Sequence, residues 1–309
     1  MVGHVIVTGA GGLIGGPTVA ALSASGFRVT AFSRSGPVNA AHETIAVDLL
    51  DPAARVAAFG ALGATHLVHL AWHGGTADRL TAPDNHIWAA ATQQLAADFA
   101  AAGGRRAVFA GSCAEYDWSS PILHESTLLA PGTAYGKAKA DAGQWLVAHG
   151  PELGLSLAWA RIFFCYGPNE PKGRLLGDLL SGLLGGTPVE CTDGLQERDF
   201  LHTSDIGRAL ASILTSDLEG PVNVASGRAT PVRDLIGMTA ELAGRPDLVR
   251  LGARPRPEGD PPRLVADVSR LASTGFRPAL DLAAGLADIV GTALREVRPG
   301  DGNPVTGTH

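Results

Sequence analysis

Ser112, Tyr135 and Lys139 carry the groups needed to move a proton onto or off a carbonyl oxygen. Tyr135 and Lys139 stand at Y-x-x-x-K spacing in "YGKAK", inside a predicted helix over residues 133–149. Positions i and i+4 share a helix face, so the ammonium can lie beside the phenol. A free phenol titrates near pH ~10, and a neighbouring cation favours the phenolate. That suits proton exchange with an alcohol or carbonyl near neutral pH. Ser112 follows the apolar run "RAVFAG", at the C-terminal end of a predicted strand. Its hydroxyl there offers a second hydrogen bond to the same oxygen. The surrounding stretch "AGSCAEYDW" adds a thiol, Cys113, and a carboxylate, Glu115.

Chemistry at a carbonyl of this kind calls for a hydride carrier. "VIVTGAGGLIGG" sets Gly9, Gly12 and Gly15 at G-x-x-G-x-x-G spacing between a predicted strand and a predicted helix over 13–25. Glycines let backbone N–H groups approach a diphosphate, and the helix N-terminus supplies partial positive charge. An NAD site ordinarily places a carboxylate about 20 residues further on, to hold the ribose 2′-hydroxyl. No acidic residue precedes Glu43; the second strand ends instead in Ser33 and Arg34. A guanidinium suits a 2′-phosphate, so the expected cofactor is NADP(H). Asp48, after "TIAV", belongs either at the adenine edge or in a surface turn.

The elements that must position these groups follow from patterning. The apolar runs "HVIVTG", "RVTAFS", "THLVHLA", "RAVFAG" and "LSLAWARIFF" alternate with helical stretches over 13–25, 52–62, 84–102 and 133–149. Nearly continuous apolar strands between helices predict an α/β fold with a parallel sheet covered on both faces. "YGPNEPKGR" breaks the pattern after Tyr166. The expected division is a dinucleotide-binding domain over 1–165 with a returning helix near 203–215, a mainly substrate-binding domain over 166–298, and a disordered tail over 299–309.

Bulk composition narrows the function. The 309 residues are 45% hydrophobic and 17% charged, as in a globular protein. A net charge of −6 and the lack of a Lys/Arg run argue against nucleic acid as a partner. No apolar stretch is long enough to predict a membrane span. The three cysteines form no C-x-x-C pair, and no leader is read at Met1, so the expected location is the cytoplasm. His66 and His69 lie three apart on a predicted strand and point to opposite faces, so with His73 they are not expected to hold a metal.

With these motifs in place, the chain resembles the extended short-chain dehydrogenase/reductases, in particular the nucleotide-sugar epimerase/dehydratase group. The resemblance rests on "TGAGGLIG", "HLAW" from His69 to Trp72, "GSCAEYD", Glu125 and Pro131, "YGKAK", "RIFFCYGP" and "QERDFLH". It implies a Rossmann-type doubly wound parallel sheet with a smaller C-terminal α/β substrate domain. It implies that Leu13, Ile14, Leu49, Leu70 and Ala71 line the cofactor, along with Tyr135 and Lys139. It implies a nucleotide-linked hexose as substrate, with Arg198 on the diphosphate or, failing that, in a rim salt bridge. The family's R-x-G-D pattern is displaced here to "RPEGD", which offers Arg256 and Asp260. Trp72 replaces a small residue and reshapes the sugar pocket, and Asn85 is expected to be structural. A homodimer through the helices at 84–102 and 133–149 is implied as well.

The family's 4,6-dehydratases carry an acid pair just after the serine; Cys113 and Ala114 stand there. Alanine transfers no proton, so dehydration is disfavoured. Cys113 is either a proton-transfer group one place out of register or a small buried side chain. Glu115 is expected to be structural. The reading is NADPH-dependent reduction of a keto group, at C4, on a nucleotide-activated deoxyhexose. A 4-epimerase that retains its cofactor is the alternative. A non-catalytic NADP sensor is disfavoured, because it has no need of Ser112, Tyr135 and Lys139.

Overall fold

In a computed structural model, which describes residues 2–34, 36–74 and 78–297, the apolar runs become the strands of one parallel sheet. These are β1 (His4–Thr8), β2 (Arg28–Phe32), β3 (Glu43–Ile45), β4 (His66–His69), β5 (Arg106–Ser112), β6 (Ser156–Ile162) and β7 (Gly220–Val224). The spatial order is β7-β6-β5-β4-β1-β2-β3, with every neighbouring pair parallel. The order reverses between β1 and β4, which is the switch point of a Rossmann-type doubly wound sheet.

Alternation along each strand decides which residues meet which helices. Val5, Val7, Val68, Val108, Ala158 and Ala160 face one way, into a core shared with α1 (Gly15–Ala24) and α6 (Thr203–Thr215). Ile6, Leu67, Ala107, Phe109, Leu157 and Trp159 face the other way. There they meet α2 (Pro52–Leu62), α3 (Asn85–Ala101) and α4 (Ala134–His149). Asp51 caps α2 by accepting from Ala53 N at 2.9 Å, with Pro52 at the first helical position. Thr133 caps α4 by accepting from Gly136 N at 3.0 Å. That cap sets where the helix carrying Tyr135 begins.

A second core is built from α5 (Leu175–Leu184), α7 (Val232–Leu242) and α9 (Leu282–Val297), around Leu179, Leu183, Leu235 and Leu286. A short helix, α8 (Ser269–Ser273), precedes α9. A small four-stranded sheet joins Thr230–Pro231, Glu197–Arg198, Arg263–Ala266 and Ile122–Leu123. The chain thus crosses the seam repeatedly: Ile122–Leu123 reaches out from the loop after β5, and α6 and β7 return to the large sheet. Cys113, Tyr116, Leu123, Phe163, Leu264 and Ala266 close the seam as a fourth apolar cluster. Residues 299–309, read from the sequence as a tail, lie outside the described residues.

Candidate active site

The C-terminal ends of β1, β4 and β5 lie side by side, so their loops share one sheet edge. After β1 comes the glycine turn. Gly9 has φ +66°, and a Cβ there would sit 2.7 Å from Ala71 N. A Cβ on Gly15 would sit 2.2 Å from Gly9 O, so α1 can start only because this residue is glycine. Within the turn, Gly12 N donates to Gly9 O and Gly15 N to Gly12 O, both at 3.0 Å. The N–H groups of Leu13 and Ile14 have no acceptor among the described residues, α1 has no side-chain cap, and its first turn holds no acidic residue. An uncapped N-terminus without carboxylates fits the diphosphate of a dinucleotide.

The loop after β4 is fastened to that turn. Thr8 Oγ1 accepts from Leu70 N at 3.2 Å and Ala71 N at 3.3 Å, so its own hydrogen goes to His69 Nδ1 at 2.8 Å. His69 Nε2 then carries the ring proton and donates to Thr92 Oγ1 at 3.1 Å. Burial pushes this imidazole down to about 3, so it stays neutral. His66 lies instead against Phe27, and no metal-holding group of His, Cys, Asp or Glu occurs among the described residues. At the far end of the cradle, Ser33 is buried and Arg34 exposed; Arg34 forms no ion pair among the described residues. Asp48 is exposed and accepts from Leu50 N at 3.0 Å in a local turn, while Leu49 is buried beside it.

Ser112, Tyr135 and Lys139 come together at the end of β5. Ser112 caps a 3₁₀ turn, Cys113–Glu115; its Oγ accepts from Ala114 N at 3.2 Å, which leaves the hydroxyl hydrogen to donate. A Cβ on Gly136 would sit 2.3 Å from Ala114 O, so the glycine of "YGKAK" lets α4 press Tyr135 against this turn. Part of Tyr135 remains open to solvent, yet protein crowds the phenol and that desolvation pushes it up to about 12. Arg79, with its guanidinium carbon 5.7 Å from the ring centroid, and a hydrogen bond with Ser112 pull the other way.

Lys139 differs from the sequence expectation. Its Nζ donates to Ala110 O at 2.8 Å and lies 3.5 Å from the centre of the Trp72 ring. The Tyr135 ring centroid is 5.9 Å away, and the cation acting on the phenol is Arg79. Burial pushes Lys139 down to about 7, opposed by the Glu115 carboxylate. Trp72 is thus a lid over the ammonium, held by its Nε1 donating to Asn85 Oδ1 at 2.8 Å. Asn85 Nδ2 in turn donates to Arg79 O and Ala82 O, each at 2.9 Å, and so shapes the loop above the phenol. An ammonium keeps further N–H donors for a ribose after one is spent on Ala110.

Below the site, Glu115 is fully buried. Its carboxylate accepts from Ser112 N at 2.7 Å, Arg161 Nε at 2.7 Å and Trp159 Nε1 at 3.0 Å. Burial raises its pKa, but every partner is a donor, so the group is held as the anion. Arg161 continues to Tyr116 Oη at 3.0 Å, and Tyr116 donates to Asn223 on β7 at 2.7 Å.

The residues named for the substrate fall on the seam. Cys113 is buried, and desolvation pushes its thiol up to about 12. Arg198 is 5% exposed. It donates to Glu197 O at 2.8 Å and Pro261 O at 2.9 Å, and pairs with Asp260. A guanidinium has five N–H donors, so two remain for an anion. Arg256 is committed elsewhere, bridging both oxygens of Asp193 at 2.9 and 3.0 Å. A cavity of about 520 Å³ between Trp118 and Pro262 includes Asp260 but neither Ser112 nor Tyr135. Lys139 lies outside it as well.

One charged residue beside Tyr135, Arg79, carries no sequence signal: it sits in an irregular loop without a motif.

Known proteins show the same architecture. MoeE5, solved in complex with UDP-glucose and NAD, is 31% identical, superposes with a TM-score of 0.83, and the match covers 96% of this chain and 100% of that one. A dTDP-glucose 4,6-dehydratase of Streptomyces griseus is 31% identical over 169 residues, 54% of this chain and 51% of the relative. A dTDP-4-dehydro-6-deoxy-D-allose reductase of a Streptomyces species is 31% identical over 145 residues, 45% and 44% of the two chains. A UDP-glucose 4-epimerase of Rhizobium meliloti (strain 1021) is 30% identical over 224 residues, 65% and 67%. The chain spans about half the length of the first two of these curated relatives. The pattern of the NAD dependent epimerase/dehydratase family runs through residues 5–225, from β1 past the end of β7. A parallel sheet with its switch point at a glycine turn and the Ser112, Tyr135 and Lys139 cluster beside it thus has a family, and this chain belongs to the NAD dependent epimerase/dehydratase family.

Proposed function

We propose that this protein reduces the C4 keto group of a nucleotide-activated deoxyhexose with NADPH. What supports the reading is the meeting of Ser112, Tyr135 and Lys139 at the end of β5, on the sheet edge that carries the glycine turn. Reduction of a ketone needs a proton donor at its oxygen, and the Tyr135 phenol, kept protonated by desolvation, can serve as one. A reduced nicotinamide, when bound, supplies hydride to the carbonyl carbon. Tyr135 gives its proton to the oxygen and is reprotonated from solvent through its open edge. Ser112 donates a hydrogen bond to the same oxygen. Lys139 holds the cofactor ribose from below. Leu13 and Ile14 N–H groups hold the diphosphate at the turn of Gly9, Gly12 and Gly15, and Leu49, Leu70 and Ala71 line the rest of the cofactor. Arg198, paired with Asp260, faces the sugar nucleotide's diphosphate.

NADP(H) over NAD(H) rests on Arg34 and on the lack of a carboxylate before Glu43, against the NAD in the solved MoeE5 complex. Dehydration is disfavoured by the residues, despite the similarity to a dTDP-glucose 4,6-dehydratase: Ala114 carries no acid, and burial pushes the Cys113 thiol up. The similarity to a UDP-glucose 4-epimerase favours a second reading, a 4-epimerase that keeps its cofactor. We also propose a homodimer through α3 and α4, whose outward sides expose Ile87 and Val147; sedimentation at twice 31.7 kDa would test it.

The deciding experiment gives the protein a dTDP-4-keto-6-deoxyhexose and NADPH in deuterated water. A reductase consumes one NADPH per sugar and incorporates no enzyme-dependent deuterium at C3 or C5. A 4-keto sugar has no C4 configuration to invert, so the epimerase reading is tested in parallel with UDP-glucose and oxidised cofactor: formation of its C4 epimer with no net change in nicotinamide absorbance would overturn the reductase reading. Deuterium incorporation that disappears in Cys113→Ser would give that thiol a role in proton transfer.

A further inference from the structure

Of the three lysines in the chain, Lys137 and Lys172 are exposed and Lys139 is 3% exposed. A buried ammonium is costly unless its surroundings answer its charge. No carboxylate touches it: Lys139 forms no ion pair among the described residues. The titratable groups around it are Glu115 in the 3₁₀ turn, His69 at the end of β4 and Tyr135 on its own helix. The Glu115 carboxylate is engaged by Ser112 N, Trp159 and Arg161, His69 is neutral, and Tyr135 keeps its proton. The groups in contact with the ammonium are Ala110 O, at 2.8 Å, and the face of Trp72, with Nζ over the ring 3.5 Å from its centre. A cation this close to an indole face is attracted by the ring quadrupole, the more so where water is excluded.

The indole is itself fixed. Its Nε1 donates to the buried Asn85 at 2.8 Å, and its ring meets Trp88 and Tyr135 with centroids 6.5 and 6.3 Å apart. Ala71, the residue before it, is tied to Thr8 and lies against Gly9 of the glycine turn. Trp72 thus joins the cofactor cradle to α4. We infer that Trp72 is a positioning residue, which keeps Lys139 charged in its buried place and, with Ala110 O, turns the free N–H of the ammonium to the cofactor ribose. The carbonyl takes one N–H and the indole covers a second side, so the donors left over face away from both. Without the ring, a buried amine relieves its desolvation by losing the proton. The inference rests on the reading of Lys139 as the ribose ligand and adds what holds it charged there.

The test follows the protonation of Lys139 directly, by NMR of the full chain labelled with ¹³C at lysine Cε. Three lysines give three signals; Lys139→Arg identifies one, and exposed Lys137 and Lys172 serve as references. Trp72→Leu fills the place with an apolar group that has no π face. The titration midpoint of Lys139 should fall by about 0.5–1.5 pH units in this variant. Trp72→Phe keeps a ring face and should recover part of that fall. If the indole only shields the amine, the smaller leucine admits water and the midpoint holds or rises; either result overturns the inference. Calorimetric titration with NAD, which has no group titrating near neutrality, then reads the ribose contact. Above both midpoints, Trp72→Leu should weaken NAD by about 3- to 30-fold, the drop in charged fraction, and Trp72→Phe by less. If Lys139→Met weakens NAD and Trp72→Leu does not, Trp72 has no positioning role. If Lys139→Met leaves NAD binding unchanged at every pH, the reading of Lys139 falls, and this role with it.

Discussion

At the scale of the residue, Tyr135 and Lys139 titrate in ways that make separate predictions. Replacing Tyr135 with Phe removes the proton donor and leaves the cofactor cradle untouched. Turnover should fall by about 10²–10⁴-fold, with nucleotide affinity largely kept. Near-normal turnover would remove Tyr135 from the mechanism. Lys139 is pushed down from 10.5 to about 7, so it loses its charge as pH rises through neutrality. If the ammonium holds the ribose, kcat/KM for the cofactor declines above pH ~7, and Lys139→Arg, which stays charged, abolishes that limb. Stability moves the other way. Between pH 7 and 10.5 the unfolded chain binds this proton and the folded chain does not, so the Lys139 contribution to stability grows with pH across that window. The spacing of Tyr135 and Lys139 was legible in the sequence as one helix face. The lid over Lys139 was not, because nothing in "HLAW" tells that the Trp72 indole folds back onto α4.

At the scale of the element, the 3₁₀ turn after β5 depends on one buried carboxylate. Glu115 holds Ser112 N, Trp159 and Arg161 together, in line with the structural role the sequence suggested for it. Glu115→Ala leaves Arg161 buried and unpaired, which costs about 3–5 kcal/mol and should appear as a lower midpoint in urea. A loss under about 1 kcal/mol would mean that water takes over the role. Glu115→Gln keeps an acceptor and should lie between. The five long runs that became β1, β2, β4, β5 and β6 were readable because buried parallel strands are continuously apolar. β7 was not. "GPVNV" carries a glycine, a proline and a buried asparagine, which hide a strand. It is tolerated because β7 is the edge of the sheet, where Pro221 forgoes an N–H at little cost. Two-residue strands such as Glu197–Arg198 show no periodicity at all, so the small sheet that carries Arg198 was invisible, although the "QERDFLH" stretch marked the residue itself.

At the scale of the whole molecule, ligand binding and folding are one equilibrium, and that lets cofactor preference be read without a substrate. The cradle uses the ends of β1, β2 and β4, which run through the middle of the large sheet, so anything bound there stabilises the fold it spans. A ligand at about 100 times its Kd adds about 2.7 kcal/mol, or a Tm rise on the order of 5 °C for a chain of this size. Arg34 is exposed at the end of β2, where a 2′-phosphate would gain a charge-assisted contact worth about 1.5–3 kcal/mol. NAD(H) then binds roughly 10- to 100-fold more weakly, and at the same concentration it adds only about 0.4–1.4 kcal/mol. NADP should therefore raise Tm clearly more than NAD at equal concentration. Arg34→Ala should lower the NADP shift to that of NAD and leave the NAD shift alone, because Arg34 is the cation proposed for the 2′-phosphate that NAD lacks. Equal shifts in the wild type would refute the NADP preference while leaving the glycine cradle intact. No shift with either would remove the cradle itself.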